Sequence, residues 1–166
     1  LSGFFGGNGN WIFGGNYQRD VIPENSKIFF RESTSRAFGG SAANENTQKV
    51  RTKAVYGNVE VPLTPTVTVL GGVRYTESDR TFAGCTRDLN GSLAPIFGVG
   101  INECVTTTAS GFGLINKQLN ENNVSWRAGV NFKPSRDLLL YANVSKGYKS
   151  GSFPLISILV EQQAKP

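Results

Sequence analysis

The sequence predicts an all-β fold: a segment of an antiparallel transmembrane β-barrel, about five strands with short periplasmic turns and long extracellular loops. Three observations lead there. Apolar and polar residues alternate with a period of two over five stretches, the signature of strands with one greasy and one wet face. The connections between these stretches are alternately tight and long, as in outer-membrane barrels. No run approaches the roughly 20 apolar residues of a membrane helix, whereas a barrel strand needs only about 9–11 residues with every second one apolar.

The first strand is expected from Asn10 to about Arg19, with Trp11, Phe13, Gly15 and Tyr17 opposed to Asn10, Gly14, Asn16 and Gln18. The second runs from about Val50 to Pro62, with Val55, Gly57, Val59 and Val61 opposed to Tyr56, Asn58 and Glu60. Leu63-Thr64-Pro65 is a tight turn with Pro in a turn-compatible place. The third strand, Thr66 to about Arg80, sets Val67, Val69, Gly71, Val73 and Tyr75 against Thr68, Gly72, Arg74 and Thr76, with Leu70 as its one misplaced apolar residue. In the fourth, Val124, Trp126, Ala128, Val130 and Phe132 oppose Ser125, Arg127, Gly129, Asn131 and Lys133. After Pro134-Ser135-Arg136-Asp137 the fifth resumes with Leu138, Leu140, Ala142 and Val144 against Tyr141, Asn143 and Ser145. Val, Thr and Tyr dominate these stretches and Gly recurs inside them, so helix is not a competitor. Residues 20–49 and 78–121, polar and rich in Gly, Asn and Ser, are expected as the long loops.

Composition narrows the function. Only 39% of residues are hydrophobic and 20 are Gly, too few inward-facing aliphatics for a soluble sandwich of this length. The net charge is +5, but Lys and Arg are scattered singly and form no basic stripe, so no nucleic-acid partner is expected. His is absent, which removes Ser-His-Asp, Cys-His and zinc-hydrolase arrangements together. The run KGYKSG at 146–151 lacks the leading glycine of a phosphate-binding loop, and GVG at 98–100 has no third glycine. Glu77 and Asp79, two residues apart at a strand end, read as solvated carboxylates. No enzyme activity and no cofactor are expected. The chain has no Met and no signal peptide at its start, so residues 1–166 are expected to be one partial barrel domain cut from a longer exported protein.

Trp11 and Trp126 fall near strand ends on the apolar parity, where rings with a polar tip favour the headgroup level. They would also suit the core of a β-sandwich, but Arg127, Lys133, Arg74 and Glu60 on the opposite parity suit a water-filled lumen better. Cys85 and Cys104 lie in the second long loop. Without His or C-x-x-C spacing a metal or redox pair is a poor reading. In an exported loop they are most simply a disulfide closing about twenty residues, worth roughly 3 kcal/mol in the chain-entropy model. The sequons at Asn90, Asn123 and Asn143 carry no weight in a bacterial outer-membrane protein.

The run VRTKAVYGNVEVPLTPTVTVLGGVRYTESDR, residues 50–80, resembles the paired strands of TonB-dependent outer-membrane receptors. VSWRAGVNFKPSRDLLLYANVSKGYKSGSF, residues 124–153, is similar to the following hairpin of that family, including its Y-A-x-x-S-K-G-Y-K-S-G-x-F ending, and NWIFGGNYQRD, residues 10–20, resembles an earlier strand. The resemblance implies a larger barrel of about 22 strands, surrounded by outer-membrane lipid and filled by an N-terminal plug. A short segment engages TonB in the periplasm, and neither plug nor segment is matched in this chain. It implies active uptake of a scarce large solute, most often a ferric siderophore. Candidates to touch that solute are polar-parity residues near the outer rim, namely Asn16, Gln18, Arg74, Thr76, Tyr141, Asn143 and Lys149, together with the loop residue Arg87. The basic members suit an anionic ligand. A passive porin or structural β-barrel and a secreted carbohydrate-binding sandwich are the rivals.

Overall fold

The computed structural model describes residues 1–5, 9–29 and 41–153. Eight strands run in chain order: β1 Ser2–Phe5, β2 Gly9–Phe29, β3 Ser41–Pro62, β4 Val67–Asp88, β5 Thr107–Thr108, β6 Gly111–Phe112, β7 Ile115–Ser135 and β8 Leu138–Lys146. One short helix, α1, spans Ala94–Phe97. The main sheet has six strands in the order β1-β2-β3-β4-β7-β8, and β5 and β6 form a separate small hairpin. Consecutive main strands are therefore neighbours throughout, and β1 and β8 are the sheet's edges among the described residues. Pairing is antiparallel where β1 meets β2 and where β7 meets β8.

The chain divides into two compact units. The first comprises Leu1–Gln18, Arg51–Ser78 and Asn120–Ser150. Here the alternation of the sequence becomes two faces. Phe13, Tyr17, Val55, Val59, Val73, Trp126, Val130, Phe132 and Val144 all have their side chains exposed. A soluble sheet would bury this parity, so an exposed apolar face of this extent marks a membrane surface. The β7–β8 register keeps the parities in step, with Trp126 opposite Lys146, Ala128 opposite Val144 and Phe132 opposite Leu140, while Arg127 faces Ser145 and Gly129 faces Asn143.

Both tight turns lie in this unit. The Thr64 hydroxyl accepts from the Val67 amide at 3.0 Å, and the Leu63 amide donates to the Val67 carbonyl at 2.9 Å, so the turn closes on itself. At the second turn the register shifts between Phe132 and Ser135. Pro134 stands in that gap; it has no N–H to give the ladder, and a bulge is where a strand tolerates it.

The second unit comprises Arg19–Val50, Asp79–Leu119 and Gly151–Pro166. It corrects the expected loops: β2 continues to Phe29, β3 begins at Ser41, β4 continues to Asp88 and β7 begins at Ile115. Residues 30–40 of the first expected loop lie outside the described residues, and the true connection in the second is residues 89–114. The strand extensions escaped the sequence pattern because most of their buried positions are polar or small, Ala42, Asn44, Asn46 and Gln48 on β3 and Thr86 and Asp88 on β4, with Phe82 the large apolar exception. Several of these polar groups are satisfied by hydrogen bonds between elements. The Thr86 hydroxyl donates to Asn44 Oδ1 at 2.7 Å, and its amide donates to the Thr106 hydroxyl at 2.9 Å. Two small apolar clusters complete the unit, one of Phe82, Ile115 and Phe153, the other of Ala42, Leu93 and Val105.

Candidate functional site

The polar parity of the first unit carries the site. Arg74 on β4 reaches Asn16 on β2, its guanidinium donating to Asn16 Oδ1 at 2.8 Å, and its Nε donates to the Thr76 hydroxyl at 3.1 Å. The same guanidinium lies over the Tyr56 ring, 5.7 Å from its centroid, a cation–π contact that holds the long side chain in place. Three of the residues singled out in the sequence, Asn16, Arg74 and Thr76, are thus brought together.

Arg74 and Arg127 line one hollow of about 360 Å³ with Tyr56, Asn58, Ser125 and Ser145. Gly72 makes the hollow possible: a Cβ at that position would collide with the Asn58 side chain and sit 3.4 Å from Arg127 Nε. Among the described residues neither Arg74 nor Arg127 forms an ion pair. The site therefore presents two permanent cations and several hydroxyl and amide groups toward whatever occupies that side of the sheet. Among the described residues no cluster of His, Cys, Asp and Glu is arranged to hold a metal ion.

An exposed apolar face with a polar face opposite is the arrangement of a barrel wall. The family profile described as TonB dependent receptor-like, beta-barrel matches residues 1–160. The chain belongs to this family of TonB-dependent receptors. No curated protein matches the chain, and no solved structure does.

TonB-dependent receptors are transporters of the Gram-negative outer membrane that act with TonB, and membership places this chain there. The apolar parity meets lipid and the polar parity meets the lumen. In such barrels short turns of the kind at 62–67 and 135–138 face the periplasm and long connections face outward.

The remaining solute candidates are scattered in this receptor. Gln18 follows Asn16 on the same parity and is exposed. Tyr141 and Asn143 lie on the polar face, opposite Asn131 and Gly129, as the fourth and sixth residues of β8. The alternation alone gave their face; their height depends on where β8 begins. Lys149 lies beyond the end of β8 and is exposed. Arg87 is engaged internally, its Nε 2.6 Å from Glu45 Oε2 and its Nη1 donating to the Asn102 carbonyl at 2.9 Å. Trp126, expected near a strand end, sits midway along β7 because that strand begins at Ile115, although its partner Lys146 ends β8.

The connection 89–114 is braced by one residue not singled out in the sequence, Asp88. The buried Asp88 carboxylate accepts four backbone amides: Asn90 and Gly91 on Oδ1, at 3.2 and 3.0 Å, and Leu93 and Ala94 on Oδ2, both at 3.0 Å. The Asp-Leu-Asn-Gly run is the signal that would have found it, since Asp commonly bonds the backbone two residues on and Gly91 adopts a positive φ of 79°. Cys85 and Cys104 are bonded across a separation of 19 residues with Cα atoms 5.8 Å apart, and beside them Arg87 and Cys104 form an isolated β-bridge.

Proposed function

We propose that this receptor takes up a scarce, anionic, large solute such as a ferric siderophore, with energy delivered through TonB. The observation that carries the reading is the Arg74–Arg127 hollow, two lumenal guanidiniums without a carboxylate partner among the described residues. Guanidinium forks match carboxylate and catecholate or hydroxamate oxygens, and in a shielded lumen such charges act more strongly than in open water. Asn16 and Thr76 orient Arg74 and serve as further contacts, and the extracellular connection 89–114, braced by Asp88 and the Cys85–Cys104 bond, takes part in first capture. The chain would supply six strands of the wall, the rest of the barrel and a plug being contributed by further sequence of the same receptor.

The test separates active from passive passage. In cells carrying the complete receptor gene, solute accumulation is expected to collapse when TonB is deleted or the proton gradient is dissipated, while surface binding persists. Uptake that continued undiminished without TonB would leave the passive porin standing.

A further inference from the structure

The lipid-facing parity of β3 changes character along the strand. Val61, Val59, Gly57 and Val55 are followed on that parity by Lys53 and Arg51. Lys53 stands nine residues before Pro62, where β3 ends, and a barrel strand crosses the hydrocarbon in about 9–11 residues. Tyr17 and Tyr75 stand at the matching height, eight residues into β2 and β4. The change from aliphatic to cationic therefore falls at the outer aromatic girdle and on the face that meets lipid.

Tyr17, Lys53, Val55, Tyr75 and Glu77 line a hollow of about 590 Å³, and Gly15 leaves room in it by contributing no side chain. The acid in this hollow is occupied, because the Tyr75 hydroxyl donates to Glu77 Oε1 at 3.1 Å. Lys53 and Arg51 make no ion pair or hydrogen bond among the described residues, and both are exposed. A Lys or Arg at the edge of a membrane lays its apolar stem along the hydrocarbon and delivers its charge to the headgroup layer.

From this placement we infer that the outer end of β3 binds the phosphate-bearing headgroup of an outer-leaflet lipid. Lys53 and Arg51 donate to the phosphate oxygens, and the upper part of an acyl chain lies against Val55 between the rings of Tyr17 and Tyr75. Of the acids on the same parity of β4, Glu77 is engaged by the Tyr75 hydroxyl, and neither Glu77 nor Asp79 forms an ion pair with Lys53 or Arg51. This binding is independent of the solute and of the Arg74–Arg127 hollow, which lies on the opposite parity.

The experiment uses the receptor purified from outer membranes in neutral detergent and exposed to bis-phosphorylated lipid A or to its dephosphorylated form, with retained lipid counted by native mass spectrometry. The wild type is expected to retain the phosphorylated lipid in preference. Lys53→Gln and Arg51→Gln should each lower retention by about fivefold, the effect of roughly one interfacial cation, while Lys53→Arg retains it and Arg136→Gln, in the periplasmic turn, changes nothing. Equal retention of both lipids by the wild type overturns the inference without reliance on any variant. So does an equal loss in Arg136→Gln, which would mean that net charge alone governs binding.

Discussion

Leu70 fills the space above Gly129. Its Cδ1 lies 2.7 Å from where a Cβ would stand on residue 129, so the one apolar side chain on the polar parity of β4 between Val67 and Ser78 is accommodated by the one residue of β7 that lacks a side chain. The apparent error in the alternation is a packed pair on the lumenal face.

Substituting Gly129→Ala forces that contact. The added methyl would also stand 3.0 Å from the Ala142 carbonyl, which is backbone and yields less readily than the tip of Leu70. A loss of about 1–3 kcal/mol is expected, read as a lower denaturant midpoint of the folded barrel. Adding Leu70→Ala should recover part of it. Full recovery would assign the whole strain to Leu70, and none would assign it to the Ala142 carbonyl.

Asp88→Ala removes the acceptor of four backbone amides at once. The connection 89–114 is expected to loosen by about 3 kcal/mol, visible as faster hydrogen exchange at Asn90, Gly91, Leu93 and Ala94 and as protease cleavage within the connection. Asp88→Asn, with a single oxygen left to accept, should fall between. Unchanged exchange at those four amides would show that water replaces the carboxylate at no penalty.

Reduction of the Cys85–Cys104 bond should loosen the same connection by roughly 3 kcal/mol while leaving the strands of the first unit folded. Protein taken from the envelope is expected to resist thiol alkylation until reductant is added. After reduction, cleavage should concentrate between residues 89 and 104, with the Arg87–Glu45 ion pair still tying β4 to β3.

In the lumenal hollow, Arg74→Ala and Arg127→Ala should each weaken binding of an anionic solute by about 1–3 kcal/mol. Arg74→Lys should rescue little, because a lysine keeps the charge but lacks the planar group that lies over Tyr56 and bonds Asn16 and Thr76 together. Titration of the solute against purified receptor measures this directly. Unaltered affinity in both alanine variants would remove the hollow from the binding path.

Much of this molecule was readable from residue order because a barrel strand writes its two solvents into alternate positions. Val55 and Val59 against Tyr56 and Asn58, or Trp126 and Val130 against Arg127 and Asn131, can be satisfied only by a sheet with lipid on one side and water on the other, so strand, face and family followed from local pattern. The tight turns were equally local, since Thr64 and Pro134 act within a few residues of themselves. The tertiary structure decided what alternation leaves open. The strands of the second unit bury Asn44, Thr86 and Asp88, whose partners lie up to 42 residues away, as in the Thr86–Asn44 bond, and polar burial leaves no hydrophobic period to read. The height of Tyr141, the engagement of Arg87 by Glu45 and the meeting of Arg74 with Asn16 across 58 residues likewise depend on register and on where strands begin. Parity is a property of each strand alone; register is a property of two strands together, and only the assembled sheet determines it.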